Sequence, residues 1–218
     1  MNPPPRRYGA FAVAVKFLLA FALVWPLAGE AAQKRLLLLG DSLTAGYGLP
    51  AADGFAQQLQ RTLSARGHDV LVLDAGVSGD TSAAGLARLD WSLADKPTHA
   101  VIELGANDAL RGLSPQAMEA NLDQIVNRLK AAGVNVLLAG MRAPRNLGAD
   151  YREAFEGAYR RLSAKHAVAL YPFFLDGLPG RRDLILSDGL HPNAEGVALI
   201  VGNILPAIEI LLKEGDPR

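Results

Sequence analysis

Short, mainly apolar runs alternate with longer amphipathic segments along most of the chain. The runs lie at residues 36–39, 70–73, 100–104, 134–138 and 167–170. Runs of this length, without the polar alternation of a half-exposed strand, are typical of strands that a parallel sheet buries on both faces. The pattern therefore predicts five buried strands.

The segments between these runs have apolar residues at helical spacing. They predict helices over residues 53–65, 114–132, 150–166 and 194–212. Strands that are regularly separated by helices imply right-handed crossovers and a parallel sheet covered on both sides. No repeat or linker divides this pattern, so we predict an α/β fold in a single domain.

Residues 1–31 have a different pattern. Basic residues precede an apolar run over residues 17–27, and small residues follow it, which is the layout of a secretory signal peptide. We predict cleavage near Ala31, export to the periplasm or beyond the cell, and no stable membrane insertion of residues 32–218. An uncleaved anchor is the alternative, but the run is shorter than the roughly 20 apolar residues that cross a bilayer.

Composition narrows the function classes. The 218 residues include 22 Lys and Arg against 22 Asp and Glu, and half of the residues are hydrophobic. A surface that tracks nucleic-acid phosphates needs a basic excess, so we expect no nucleic-acid partner. The chain has no cysteine, which excludes disulfides, thiolate metal sites and cysteine nucleophiles.

Polar residues follow the predicted strands at the points where the strands end. Ser42 follows the first strand, Gly79 the second and Asn107 the third, while Asp188 and His191 come just before the last helix. In open α/β sheets the carboxyl ends of the strands meet at one crevice. These residues are therefore expected to share one site.

Acyl transfer needs this set of groups. A serine hydroxyl such as that of Ser42 is a weak nucleophile until a base such as His191 removes its proton, and a carboxylate such as Asp188 orients that base. The backbone amides of Ser42 and Gly79 and the side-chain amide of Asn107 could bind the oxyanion of the tetrahedral intermediate.

Each residue also has a purely structural interpretation. Ser42 could be a turn or cap residue, and Asp188 and His191 could cap the last helix. Asn107 could be a turn residue and Gly79 could serve only for its backbone freedom. The turn after the first strand lacks Gly-Lys-Ser/Thr, which argues against a phosphate-binding P-loop.

Six further polar residues are expected to have structural roles. Three aspartates should bind loop amides and three histidines should lie on the surface or cap helices: Asp41, Asp80, Asp108, His68, His99 and His166.

The residues at the strand ends resemble the SGNH, or GDSL, hydrolase family in four blocks that occur in order. The blocks are Gly40-Asp41-Ser42-Leu43, Gly79, Gly105-Ala106-Asn107-Asp108 and Asp188-Gly189-Leu190-His191-Pro192. The resemblance covers essentially all of the chain after residue 31. Within the family the chain is most similar to the bacterial periplasmic esterases of the thioesterase I, lysophospholipase and arylesterase type.

The resemblance implies a flavodoxin-like three-layer α/β/α fold with a five-stranded parallel sheet. It also implies a catalytic triad of Ser42, Asp188 and His191, an oxyanion hole formed by Ser42, Gly79 and Asn107, and no metal or cofactor. The rim of the site would consist of residues 109–113, 142–148 and 173–178, the first of which would move over bound acyl chains. Ala109, Leu110 and Pro144 would contact the substrate.

The sequence thus predicts a monomeric, exported serine esterase. It would hydrolyse small or lipid-like acyl esters and thioesters through an acyl-enzyme intermediate. A carbohydrate O-deacetylase could use the same site, because the triad defines the reaction and the rim defines the substrate. A non-catalytic flavodoxin-like binding protein is a second alternative.

Overall fold

The computed structural model describes Met1 and residues 33–214. The predicted signal peptide and its cleavage site fall outside the described residues, apart from Met1. Residues from Gln33 onward form one compact unit.

Each of the five apolar runs forms a strand. The strands are β1 (Lys34–Gly40), β2 (Val70–Gly76), β3 (His99–Glu103), β4 (Asn135–Ala139) and β5 (Ala169–Tyr171). All pairings in this sheet are parallel, and the order is β2-β1-β3-β4-β5. This is the flavodoxin-like order, in which the direction of winding reverses between β1 and β3.

Four long helices lie close to where the periodicity predicts them, and four short helices accompany them within the described residues. The helices are α1 (Ser42–Ala45), α2 (Phe55–Ala65), α3 (Ser82–Ala87), α4 (Leu89–Ala94), α5 (Ala106–Leu110), α6 (Pro115–Ala131), α7 (Ala149–His166) and α8 (Ala194–Leu211). Ser114 caps α6, because its hydroxyl oxygen accepts from the Ala117 amide.

The helices form two layers that cover the sheet. Helix α2 packs on α8, and α8 packs on β4 and β5, while α3, α6 and α7 form the other layer. The four leucines of β1 are at most 1% exposed because both sheet faces are covered. Helix α8 is long and apolar enough to cross a membrane by composition, but its buried side chains belong to this core. The predicted single-domain three-layer fold is thus confirmed.

Candidate active site

The position of Ser42 is set by the abrupt end of β1. The strand stops at Gly40, and the Asp41 side chain caps the next helix by accepting from the Leu43 amide at 3.0 Å. Ser42 is therefore the first residue of α1. It lies beside the point between β1 and β3 where the sheet order reverses, which is where such sheets bind ligands.

Ser42, His191 and Asp188 form a chain of hydrogen bonds. Ser42 Oγ lies 2.9 Å from His191 Nε2, and His191 Nδ1 lies 2.6 Å from Asp188 Oδ2. Asp188 Oδ1 accepts from the backbone amides of Leu190 at 2.9 Å and His191 at 3.0 Å. The turn that carries the acid and the imidazole therefore also fixes the direction of the carboxylate.

The protonation state of Asp188 determines which proton the imidazole carries. The backbone amides of His191 and Leu190, followed by the His191 side chain, lower the pKa of Asp188 to about 2. The ionised carboxylate can only accept, so a neutral His191 keeps its proton on Nδ1. Its Nε2 is then free to accept the hydroxyl proton of Ser42.

Tyr47 contacts the imidazole from outside this chain of hydrogen bonds. Its ring centroid is 4.5 Å from that of His191, with an interplanar angle of 37°. The side chain lines the same cavity as Ser42 although it is 52% exposed. Sequence reasoning missed this residue, and its place five residues after Ser42 in the glycine-rich turn was the available signal.

The predicted oxyanion donors belong to three residues that line one cavity: Ser42, Gly79 and Asn107. Asn107 Nδ2 donates to Asp41 Oδ2 at 3.0 Å, which uses one of the two N–H bonds of the carboxamide. Gly79 has a φ of +88°, a conformation that favours glycine. The backbone freedom expected at Gly79 is thus used in this turn.

Side chains link the Gly79 loop to the segment after β3. The Arg111 guanidinium donates to the carbonyl of Gly79 at 2.7 Å. The Asp108 carboxylate accepts from the amide of Ser82 at 2.8 Å and from its hydroxyl at 2.6 Å. The structural role predicted for Asp108 is confirmed, whereas the contact of Arg111 was not predicted.

The remaining structural predictions have mixed outcomes. Asp80 has a structural contact, but it pairs with the Arg88 guanidinium at 2.5 Å rather than with a loop amide. His68 and His166 lie 3.0 Å and 2.7 Å from the carboxylates of Glu209 and Asp123. His99, however, is completely buried at the start of β3, with Nδ1 2.8 Å from Thr98 Oγ1. The surface prediction is wrong there because β3 is the central strand, whose two faces are both covered.

A cavity of about 490 Å³ opens above Ser42. All three predicted substrate-binding residues, Ala109, Leu110 and Pro144, line it, and so does Leu175 from the third predicted rim segment. Further apolar lining comes from Leu43, Met141, Ala143 and Leu190. The space beside the serine hydroxyl is thus walled mainly by hydrocarbon, as an acyl chain would require.

A second cavity, of about 640 Å³, lies on the other side of Leu175. Phe173 and Leu178 line it together with the arginines at 181 and 182. The Arg142 guanidinium stands 4.4 Å from the centre of the Phe173 ring, within cation–π range. Across residues 33–214, no group of three or more acidic or histidine side chains is arranged to hold a metal ion.

Comparison with known proteins identifies relatives across this whole region. Residues 38–199 match the GDSL-like lipase/acylhydrolase family. The chain is 42% identical to esterase TesA of Pseudomonas aeruginosa over 84% of this chain and 92% of that protein. It is 40% identical to thioesterase 1/protease 1/lysophospholipase L1 of Escherichia coli K12, over 78% of this chain and 81% of that one.

The fold also matches solved structures. One is the psychrotrophic esterase EstA from Pseudoalteromonas sp., in a form inhibited by monoethylphosphonate. It is 36% identical and superposes with a TM-score of 0.79, over 83% of this chain and 100% of that one.

Proposed function

The chain belongs to the GDSL-like lipase/acylhydrolase family and is a carboxylic ester hydrolase of the serine esterase type. We propose that Ser42, His191 and Asp188 are its catalytic triad. The observation that carries the proposal is the chain of hydrogen bonds from Ser42 Oγ through the imidazole to Asp188. Ser42, Gly79 and Asn107 form the oxyanion hole.

In the acylation step, Ser42 Oγ attacks the carbonyl carbon of the ester while His191 Nε2 takes the hydroxyl proton. The imidazolium that forms is stabilised by Asp188, which stays ionised. The carbonyl oxygen gains the negative charge and is met by the amides of Ser42 and Gly79 and the second N–H of Asn107. When the intermediate collapses, the bond to the alcohol or thiol breaks and His191 returns the proton to that leaving group.

Deacylation repeats these steps with water. His191 Nε2 removes a proton from a water molecule, whose oxygen attacks the carbonyl carbon of the acyl-serine. The same donors bind the oxyanion, and collapse releases the carboxylic acid and returns the proton to Ser42 Oγ. His191 takes up and returns every proton that moves in the cycle, so no cofactor is proposed.

The substrate is proposed to be an ester or thioester of a medium or long acyl chain. The hydrocarbon lining of the cavity above Ser42 supports this, since each buried methylene contributes about 0.8 kcal/mol. The relatives named thioesterase and lysophospholipase support the same class of substrate. We further propose that residues 1–31 are an export signal removed before the enzyme acts in the periplasm.

Hydrolysis of p-nitrophenyl esters from acetate to palmitate by the wild type and by Ser42→Ala tests this function. We expect activity to peak at medium or long chains and to fall by about 10³-fold or more in Ser42→Ala, because the nucleophile is lost. Ser92→Ala, a buried serine outside the cavity, is the matched control and should keep wild-type rates.

Other results would redirect the assignment. Activity confined to acetate would identify a deacetylase. Absence of turnover on every chain, together with no labelling by a fluorophosphonate, would identify a binding protein. Wild-type rates in Ser42→Ala would contradict the proposed triad.

A further inference from the structure

Two buried carboxyl groups lie directly beneath the nucleophile. Glu103 is the last residue of β3 and pairs in register with Gly40 of β1, so its side chain lies next to Asp41. Glu103 is 1% exposed and Asp41 is completely buried. The proposed reaction uses neither carboxyl group as an acid or a base, so their burial needs another explanation.

The hydrogen bonds of the two groups are not equivalent. Asp41 accepts on both oxygens, from the Leu43 amide and from Asn107 Nδ2. Glu103 accepts only on Oε2, from Thr44 Oγ1 at 3.0 Å and from the Asp41 amide at 3.4 Å. Among the described residues, no donor reaches Glu103 Oε1. An oxygen that receives no donor is the natural place for a proton.

The two buried carboxyl groups are neighbours, because the Asp41 amide donates to Glu103 Oε2. Two carboxylates in one buried site repel each other strongly, so one of the pair keeps a proton. Burial, and then the charge of Asp41, raise the pKa of Glu103 well above its usual range. Burial raises the pKa of Asp41 too, but its bonds to Leu43 and Asn107 oppose the shift. The proton therefore belongs on Glu103.

The groups around this pair leave that assignment intact. They are His191 from the turn before α8, Asp108 from α5, Tyr159 from α7 and Arg88 from the junction of α3 and α4. The Arg88 guanidinium is a cation, but it binds Asp80 at 2.5 Å and the carbonyl of Gly40 at 2.9 Å. It is therefore engaged by other acceptors.

We propose that Glu103 is a positioning residue that stays protonated and accepts from the Asp41 amide, so that Asp41 remains an anionic acceptor and aligns Asn107 with the oxyanion. Asp41 binds both the Leu43 amide and the carboxamide of Asn107. The first of these bonds fixes the start of α1. Glu103 thus acts on the reaction through two hydrogen bonds. This inference rests on the proposed oxyanion role of Asn107.

Two substitutions of Glu103 separate its polar contacts from mere packing. Glu103→Gln is neutral and keeps an oxygen that can accept from Thr44 and the Asp41 amide, and it should retain at least about a third of wild-type kcat. Glu103→Met fills similar space without an acceptor. Loss of one aligned oxyanion donor typically reduces turnover about 10²–10³-fold, so partial misalignment should lower kcat about 10- to 100-fold with little change in KM.

A double-mutant cycle with Asn107→Ala tests whether the effect passes through Asn107. If it does, Glu103→Met should lower kcat less than about 3-fold when Asn107 is already alanine. Ile102→Val, in the same strand, is the control for a weakened core: it should lower Tm slightly and leave kcat at the wild-type value.

The proton itself can be detected without activity. Folding raises the pKa of Glu103, so the wild type binds a proton on folding and loses stability as the pH rises above the unfolded value of about 4.5. Glu103→Gln has no such proton. The Tm of Glu103→Gln relative to the wild type should therefore increase as the pH rises above about 5, by up to about 3–5 °C per pH unit, for as long as folded Glu103 keeps its proton.

Three outcomes would overturn the inference: a Tm difference that does not change with pH, a Glu103→Gln enzyme as slow as Glu103→Met, or equal losses from Glu103→Met with and without Asn107. If Glu103→Met does not fold, the Glu103→Gln rates and the Tm series still decide. A normal kcat in Asn107→Ala would instead refute the oxyanion role on which the inference rests, and the Tm series distinguishes that failure from a misplaced proton.

Discussion

Asp188 owes its low pKa to hydrogen bonds rather than to a buried cation. Its side chain is 36% exposed, yet two backbone amides and the imidazole bind its two oxygens. A pKa of about 2 keeps it ionised at any pH where the enzyme is expected to work. A loss of activity at mildly acidic pH would therefore not come from protonation of Asp188.

Replacement of Asp188 by Asn should expose this dependence. The amide can place an N–H against Nδ1, which favours the tautomer that has its proton on Nε2 and cannot accept from Ser42. We expect kcat to fall about 10³- to 10⁴-fold with a small change in KM. Steady-state kinetics on a p-nitrophenyl ester measures both values.

Asp183→Asn is a suitable control, since Asp183 is an exposed acid that pairs with Arg181 five residues earlier in the chain than Asp188. It should change kcat less than about 2-fold. If Asp188→Asn kept more than a tenth of the wild-type kcat, the carboxylate would not be orienting the base.

The residues that could be predicted from sequence are those whose position relative to a strand end defines their role. Ser42 and Asn107 follow strands directly, and the spacing of Asp188 and His191 permits a contact within one turn. No functional role was predicted for Glu103, because it lies within a mainly apolar run that indicates only a strand. Its role depends on the register that places it beside Gly40, and a single sequence does not display register.

At the scale of elements, the junction of β1 and α1 depends on close backbone approach. A Cβ on Gly40 would overlap Thr44 Oγ1 and lie 2.8 Å from Glu103 Oε2. The glycine thus makes room for the hydrogen bond between Thr44 and Glu103. It belongs to the Gly-Asp-Ser-Leu block for a steric reason.

Gly40→Ala should therefore be costly. We expect it to lower the free energy of unfolding by about 1–3 kcal/mol through overpacking and to lower kcat by displacing α1. Chemical denaturation and ester hydrolysis measure the two effects.

Gly202→Ala provides the opposite case, because a Cβ there meets no atom within 4 Å in the middle of α8. It should stabilise the protein by about 0.5–1 kcal/mol and leave kcat unchanged. Equal effects of the two substitutions would show that space at Gly40 is unimportant.

Element types were easier to predict than element ends. The strand expected from residue 167 begins at Ala169, because Ala167 ends α7 in a left-handed conformation with a φ of 51°. The strand expected to reach Leu104 stops at Glu103, because Gly105 turns the chain with a φ of +121°. Such ends depend on local backbone angles that apolar periodicity does not encode.

For the whole molecule, the sheet order explains why distant blocks of sequence converge. The segments after β1 and β3 are neighbours because these strands pair, and the turn before α8 returns to them from the far end of the chain. Apolar periodicity could predict five parallel strands but not their order, since every order buries the same runs. The flavodoxin-like arrangement could be predicted only through the family resemblance.

This organisation makes a prediction about residues 1–31. Every core residue of the compact unit and every proposed site residue lies between residues 33 and 214. A protein that begins at residue 32 should therefore have the same Tm, within about 1 °C, and the same kcat as the protein recovered after export of the full chain. Mass spectrometry of the exported protein should place its first residue within a few positions of Ala32. A shortened protein that unfolds at lower temperature, or an exported protein that retains Met1, would contradict the proposal that this segment serves only for export.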